Sequence, residues 1–428
     1  MTQAVLDPPA ALTLPLRRRD ELLRRGELDP GSWRALLLRH IRSTDPEIRA
    51  LADFRPDDVA DPGIPTRPTV VYKDTIDVRG RATRLGITSG YRCYPERSAR
   101  VVDRLAEAGY RTVGKAATTE VSIGAVIPSR NPRYRDVSAG GSSSGSGAAV
   151  AAAFADLSVC TDSGGSARWP AVYCGAVGLR LGWDPAQLDG VTALSPRMES
   201  LAVITRTADD LAWLWQERGL REALLPEPPG RSAPGRPRFA LVADCFDEPL
   251  DPQVAAAVRG LAERLAKAGH TVSEVRAPWW DERESAWQLL LREAWDAHAA
   301  RGTETYQPST RAALERGSRI TDARLRRLLD RQRRARAAAD EQFAHGPDVL
   351  LLPLDPHLAD RVQPDDRPST VPVGSPGFTI GISFAGLPAL ALPVAHASDG
   401  SPLGVQLVAR GGAEDVLVSA GRLIEQLI

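Results

Sequence analysis

Two clusters of serine and glycine stand close together in this 428-residue chain. The first is Gly140-Gly141-Ser142-Ser143-Ser144-Gly145-Ser146-Gly147; the second is Ser163-Gly164-Gly165-Ser166, with Ser142 and Ser166 24 residues apart. An alanine-rich apolar run separates them, which a flexible linker would not carry. A serine hydroxyl becomes a nucleophile when a neighbouring base takes its proton, and a lysine kept neutral by burial can be that base. Lysine is scarce here: of 54 basic residues only Lys73, Lys115 and Lys267 are not arginine. Arginine holds its proton at any working pH, so a position that needs a base excludes it. High-GC coding gives the arginine-rich background, against which Lys73 is a candidate base.

Three readings of the clusters compete. A phosphate-binding loop would end in Gly-Lys-Ser/Thr or follow G-x-G-x-x-G, and Gly145-Ser146-Gly147 runs on to Val150 instead. A nucleophile elbow, G-x-S-x-G, is satisfied by Gly141 to Gly145. The elbow should follow an apolar strand and needs a downstream histidine. The preceding NPRYRDVSA is polar, and none of the five histidines beyond it sits in a motif-like context. Cys174, in YCGAVGL, reads as a packed thiol. The third reading joins both clusters to Lys73 as a Ser–Lys arrangement, in which glycines around Ser166 let backbone N–H groups converge on an oxyanion.

The positioning elements follow from periodicity. Arg17 to Arg49 reads as helices broken at Asp45-Pro46, and Pro68 to Val78 as a strand with Lys73 near its centre. Ser98 to Lys115 reads as helix, glycine stop and short strand, a form that recurs from Val254 to Val275. Ala148 to Phe154 is a small-residue helix and Leu157 to Thr161 a strand. Leu224 to Arg238 is a Pro/Gly-rich surface connection. Strands at DVLLLPL, LPALALPVA and PLGVQLVAR and a last helix complete the chain. Helix and strand alternating throughout predict an α/β fold around a large central sheet.

Acidic and basic residues balance at 54 each, which argues against nucleic-acid binding. The one basic run, Arg324 to Arg336, carries leucines at helical spacing and reads as a solvated helix face. Four cysteines without CxxC or zinc spacing read as buried free thiols in a reducing compartment. The N-terminus, with Asp7 and early prolines, does not read as a signal peptide, and no apolar run reaches membrane-spanning length. A soluble, cytoplasmic protein without a membrane partner is expected.

The stretch GGSSSGSGAAVAAAF…TDSGGSARWPAVYCGAVGLR, with PTVVYKDTIDVRG, VGKAATTEVSIG, SPRMESLAVITRTADDLAWL, FAGLPALALPV and PLGVQLVAR, resembles the amidase signature family, serine hydrolases with a Ser–cis-Ser–Lys triad. The resemblance covers nearly all of residues 20 to 428. It implies a single large α/β domain at 17–428, with a central mixed β-sheet flanked by helices. Within it a signature core spans 66–220 and a surface connection 224–238, with a substrate-shaping and C-terminal part at 239–428, all after a tail at 1–16. By resemblance Lys73 is the base, Ser142 the bridging serine on a cis peptide and Ser166 the nucleophile. Ser163, Gly164 and Gly165, with Ser166, supply the oxyanion-hole N–H groups, and Ser143, Asp162 and Arg168 are supports. The implied activity is cofactor-free and metal-free hydrolysis of a small-molecule linear amide through an acyl-enzyme, by a protein that is often a homodimer. Related alternatives are acyl transfer to an amine, the glutaminase-type component of an amidotransferase, and a non-catalytic binding protein on a retained scaffold. The sequence departs from the family at Gly178-Leu179-Arg180-Leu181-Gly182, at Ser144 and at Trp169, which could reshape the acyl pocket. Residues Trp279 to Pro376, where such enzymes set their substrate range, match least.

Overall fold

Thr69-Val70-Val71-Tyr72-Lys73 is buried along its whole length. A strand covered on both faces is apolar nearly throughout, which is the pattern of parallel strands in α/β folds. In the computed structural model, which describes residues 8–225, 236–362, 369–370 and 377–428, this run is one strand of a large mixed sheet. The strands in chain order are β1 (Leu51–Phe54), β2 (Thr69–Lys73), β3 (Arg111–Ala116), β4 (Val126–Ile127), β5 (Leu157–Asp162), β6 (Val177–Arg180) and β7 (Ser200–Thr205). They continue with β8 (Phe239–Val242), β9 (Val272–Val275), β10 (Val349–Pro353), β11 (Ser369–Thr370), β12 (Ala389–His396) and β13 (Pro402–Val408).

Eleven of them form one sheet in the order β1-β3-β2-β5-β7-β6-β12-β13-β10-β8-β9, while β4 and β11 pair separately. β3, β2 and β5 are parallel, as are β10, β8 and β9; the pairings between these groups are antiparallel. The recurring helix–glycine–strand unit is thereby explained: each copy is a crossover joining parallel neighbours, β2 to β3 through Arg100–Glu107 and β8 to β9 through Pro252–Lys267. The fold is a single α/β domain, a mixed sheet flanked by helices, as the sequence predicts.

Alternation along the strands splits the core. Val70, Tyr72, Leu157, Val159, Leu201 and Val203 pack on one face, beneath the helices Ala208–Glu217 and Glu414–Leu427. Val71, Cys160, Ala202 and Ile204 face the other way, toward the small-residue helices Ser144–Ala151 and Arg168–Tyr173. Lys73 and Asp162, with the same parity as Val71 and Cys160, belong to this second face at the C-terminal ends of β2 and β5. Those two helices lie nearly in contact: a Cβ on Gly147 would stand 2.4 Å from the Pro170 carbonyl oxygen. Small residues thus bring the loops before both helices, the two serine clusters, side by side.

Several expectations are corrected. Lys73 ends its strand instead of sitting at its centre, because the chain turns at once, with the Ile76 N–H donating to the Lys73 carbonyl at 2.9 Å. The helix expected to break at Asp45-Pro46 runs from Pro30 to Ile48. Pro46 falls in its last turn, so the helix ends two residues later, and Asp45 Oδ1 accepts the N–H of Ala50 and Leu51 beyond the end. The small-residue helix starts earlier than expected, at Ser144. Cys93 is exposed, while the other three thiols are buried. Of the segment expected as a tail, residues 8–16 are described, and Leu12 and Leu16 are buried. Residues 1–7 and most of the Leu224–Arg238 connection, 226–235, lie outside the described residues. Among the described residues no helix is long and apolar enough to cross a membrane.

Candidate active site

The end of β2 buries Lys73 completely, with Nζ 2.8 Å from Ser142 Oγ and 3.1 Å from Thr161 Oγ1 on the neighbouring β5. Both contacts are hydroxyls. Burial pushes the Lys73 ammonium below the ordinary lysine range, against the opposing pull of Glu199, Cys160 and Asp162. Lys115 is the contrast. It is equally buried, but its Nζ is 2.9 Å from Asp74 Oδ1 and 2.8 Å from Thr83 Oγ1, so it is half of an ion pair. Lys267 is exposed on the last turn of its helix. Of the three lysines, one alone faces a serine.

The Gly141–Ser142 peptide is cis. The Ser142 carbonyl accepts from the Thr119 N–H at 3.0 Å and from Thr118 Oγ1 at 3.1 Å, which fixes the loop to the segment after β3. The two clusters are joined directly, the Ser143 N–H donating to the Ser166 carbonyl at 3.1 Å. Ser143 itself is fully buried, its Oγ 3.4 Å from the Thr161 carbonyl oxygen. Ser166 is half-buried and, with Gly140, Gly141, Ser142 and Gly164, lines a cavity of about 250 Å³.

Asp162 and Arg168, both fully buried, brace the second cluster from beneath. Arg168 Nε and Nη2 each lie 2.9 Å from a different Asp162 oxygen, a two-pronged pair. The same carboxylate accepts the Gly165 N–H at 2.7 Å and the Ala167 N–H at 3.2 Å. Burial works to raise its pKa, yet Arg168, Arg180 and the Gly165 N–H hold it well below the usual carboxylate range. Gly165 adopts φ +119°, and a Cβ there would stand 2.6 Å from Thr379 Oγ1, so only glycine fits. In this structure its N–H points to Asp162. Of the other donors proposed from sequence, Gly164 and Ser166 line the cavity and Ser163 does not.

Five partners escape sequence reasoning: Thr161, Arg180, Glu199, Thr379 and Gln406. Arg180, a charge at the end of the buried strand Val177–Arg180, donates to the Asp162 carbonyl. Gln406 Oε1 accepts from Arg168 Nη1 at 2.7 Å, and the Thr379 hydroxyl donates to the Gly164 carbonyl. Glu199 Oε2 accepts from Ser163 Oγ at 2.5 Å and from the Leu194 N–H at 2.8 Å. The available signal was a polar residue in an otherwise apolar strand, as at Thr161, Arg180 and Gln406. Around the cluster Asp162 and Glu199 balance Arg168 and Arg180, so a proton on Lys73 would add an uncompensated buried charge.

A sequence model of the amidase family matches residues 63–418. The chain belongs to the amidase signature family. Among curated relatives of this amidase, a 6-aminohexanoate-cyclic-dimer hydrolase of Pseudomonas sp. is 29% identical, covering 95% of this chain and 93% of the relative. A glutamyl-tRNA(Gln) amidotransferase subunit of Thermus thermophilus is also 29% identical, over 94% of each. A crystal structure of an amidase superposes with a TM-score of 0.82 at 27% identity, covering 96% of this chain and 99% of that one. The family read from the sequence is thus the family found, and with it an enzyme of amide C–N bond hydrolysis.

Proposed function

We propose that this amidase cleaves a small-molecule carboxylic amide through an acyl-enzyme on Ser166, with Ser142 and Lys73 as a proton relay. Neutral Lys73 takes the Ser142 proton as Ser142 takes that of Ser166, and Ser166 Oγ bonds to the amide carbon. The negative charge formed on the carbonyl oxygen lies toward the N–H groups of Gly164 and Ser166. Collapse breaks the C–N bond while Ser142 gives its proton to the leaving amine and regains one from Lys73. Water then repeats the sequence, releasing the carboxylic acid and restoring all three side chains. The observation that carries this reading is the 2.8 Å contact between Ser142 Oγ and a fully buried lysine that has no carboxylate partner among the described residues. Four unpaired cysteines, one of them exposed, support a reducing compartment such as the cytoplasm.

A glutaminase-type role is less well supported. Glutamine carries an α-carboxylate that calls for a cation, and no lysine or arginine is among the described residues lining the cavity.

A fluorophosphonate probe followed by peptide mapping tests the proposal. The adduct is expected on Ser166, absent in Ser166→Ala, and formed about 10²-fold or more slowly in Lys73→Ala, the scale of a lost general base. Labelling elsewhere, or none, would overturn it.

A further inference from the structure

The cavity is bounded on one side by the serines and on another by the loop after β10. There Asp355, His357 and Asp360 face the same space as Ser166, together with Trp169 and Trp287. The loop is tied down at several points: the Leu354 N–H donates to the Gly404 carbonyl at 3.0 Å, Ser138 N–H to the Asp360 carbonyl at 2.8 Å, and Asp251 N–H to the Pro356 carbonyl at 2.9 Å. Asp355 Oδ1 accepts the His357 N–H at 3.1 Å. Neither carboxylate has an ion-pair partner among the described residues. Arg361, the nearest cation in sequence, is turned away to Asp136 and Asp399. Burial pushes the Asp355 carboxyl above the ordinary range against the opposing pull of His357 and Trp169, a condition that a bound cation relieves, while Asp360 lines the same space from an exposed position.

A second observation points to a ligand in this space. Thr119 lines the cavity at 2% exposed, and its Oγ1 has no hydrogen-bond partner. A buried hydroxyl left unpaired is costly, and a substrate polar group would satisfy it.

We propose that the substrate is an amide bearing a protonated amine or guanidinium, with the cation held against Asp355 and Asp360 while the scissile carbonyl lies at Ser166. The inference rests on the amidase reading above. No substrate need be known to test it, because occupancy of the cavity slows labelling of Ser166.

Protection of Ser166 from the fluorophosphonate is measured with n-hexylammonium, 1-hexanol and hexanoate, three ligands of matched length and different charge. In the wild type the ammonium should protect at a concentration at least tenfold below the alcohol, and hexanoate should protect least. In the double variant Asp355→Asn/Asp360→Asn the three should become equal within about threefold. Equal protection by ammonium and alcohol in the wild type overturns the proposal without need of a variant. So does a preference that survives the double substitution. If Ser166 does not label at all, the amidase reading itself fails, which is a separate result.

Discussion

Lys73→Met should lower kcat by about 10³-fold or more while leaving the melting temperature unchanged or higher. The loss follows from the chemistry: a positioned general base contributes about 10²–10⁴ in rate, and Met fills the space of the lysine stem without a lone pair. Lys73→Arg should be as inactive, because guanidinium keeps its proton and cannot accept another. The stability effect has the opposite sign from that of an ordinary buried charge. Burial lowers the folded-state pKa of Lys73 from its ordinary value of 10.5, so the folded protein binds fewer protons here than the unfolded chain. At any pH below 10.5 that difference opposes folding, and a neutral Met removes it. Activity in the wild type should rise with pH as Lys73 loses its proton, giving kcat/KM an acid limb below the ordinary lysine range that vanishes in Lys73→Met. Lys115→Met is the control. It leaves Asp74 buried without its ion-pair partner, a change of about 3–5 kcal/mol, so it should lose stability instead of the acid limb. Thermal melts and pH–rate profiles on the two variants separate the lysines. A Lys73→Met enzyme that keeps its acid limb would remove Lys73 from the mechanism.

The sequence was legible where chemistry dictates residue type. A base that must lose its proton cannot be arginine, and this narrowed 54 basic residues to three lysines, Lys73 among them. Glycine density marked both loops, and at Gly165 the reason is plain in φ and in the approach of Thr379. Strand and helix order could also be read, since burial on both faces leaves a continuous apolar run such as TVVYK. What could not be read depended on residues far away in the chain. Arg168 finds Gln406, 238 positions on, and the Thr379 hydroxyl reaches back 215 positions to the Gly164 carbonyl. The end of β2 was misplaced for a similar reason. The pattern TIDV is as strand-like as what precedes it, but the strand stops at the turn after Lys73, just where its pairing with Ala116 of β3 ends.

Arg168→Met should destabilise the protein by about 3–5 kcal/mol, the cost of leaving a buried partner uncompensated. Against a typical total of about 5–15 kcal/mol, that places the variant near its folding threshold. Asp162 decides the outcome, because it keeps two backbone N–H donors after the change but loses both prongs of the guanidinium. The pH dependence should weaken. In the wild type the folded-state pKa of Asp162 is held below its ordinary value of 3.8. Its contribution is therefore present above 3.8 and is lost only as pH falls through the lowered folded value. Without Arg168, burial is opposed only by Arg180 and the backbone N–H groups, so the folded-state pKa should rise toward the unfolded value. The stability that this carboxylate contributes above 3.8 then shrinks, and less is lost on acidification. The double variant Asp162→Asn/Arg168→Met removes both charges, so it should lose less than the sum of the two single changes, a coupling readable in a double-mutant cycle. Denaturant melts at acid and neutral pH measure all of this. Additive losses, or an Arg168→Met variant that loses as much stability on acidification as the wild type, would show that the pair does not act as a unit. The pair also fixes the loop that presents Ser166, since the Gly165 and Ala167 N–H groups on either side of it end on the same carboxylate. The double variant, even where it folds, should therefore label more slowly at Ser166, because a charge-free replacement restores stability without restoring the bidentate geometry.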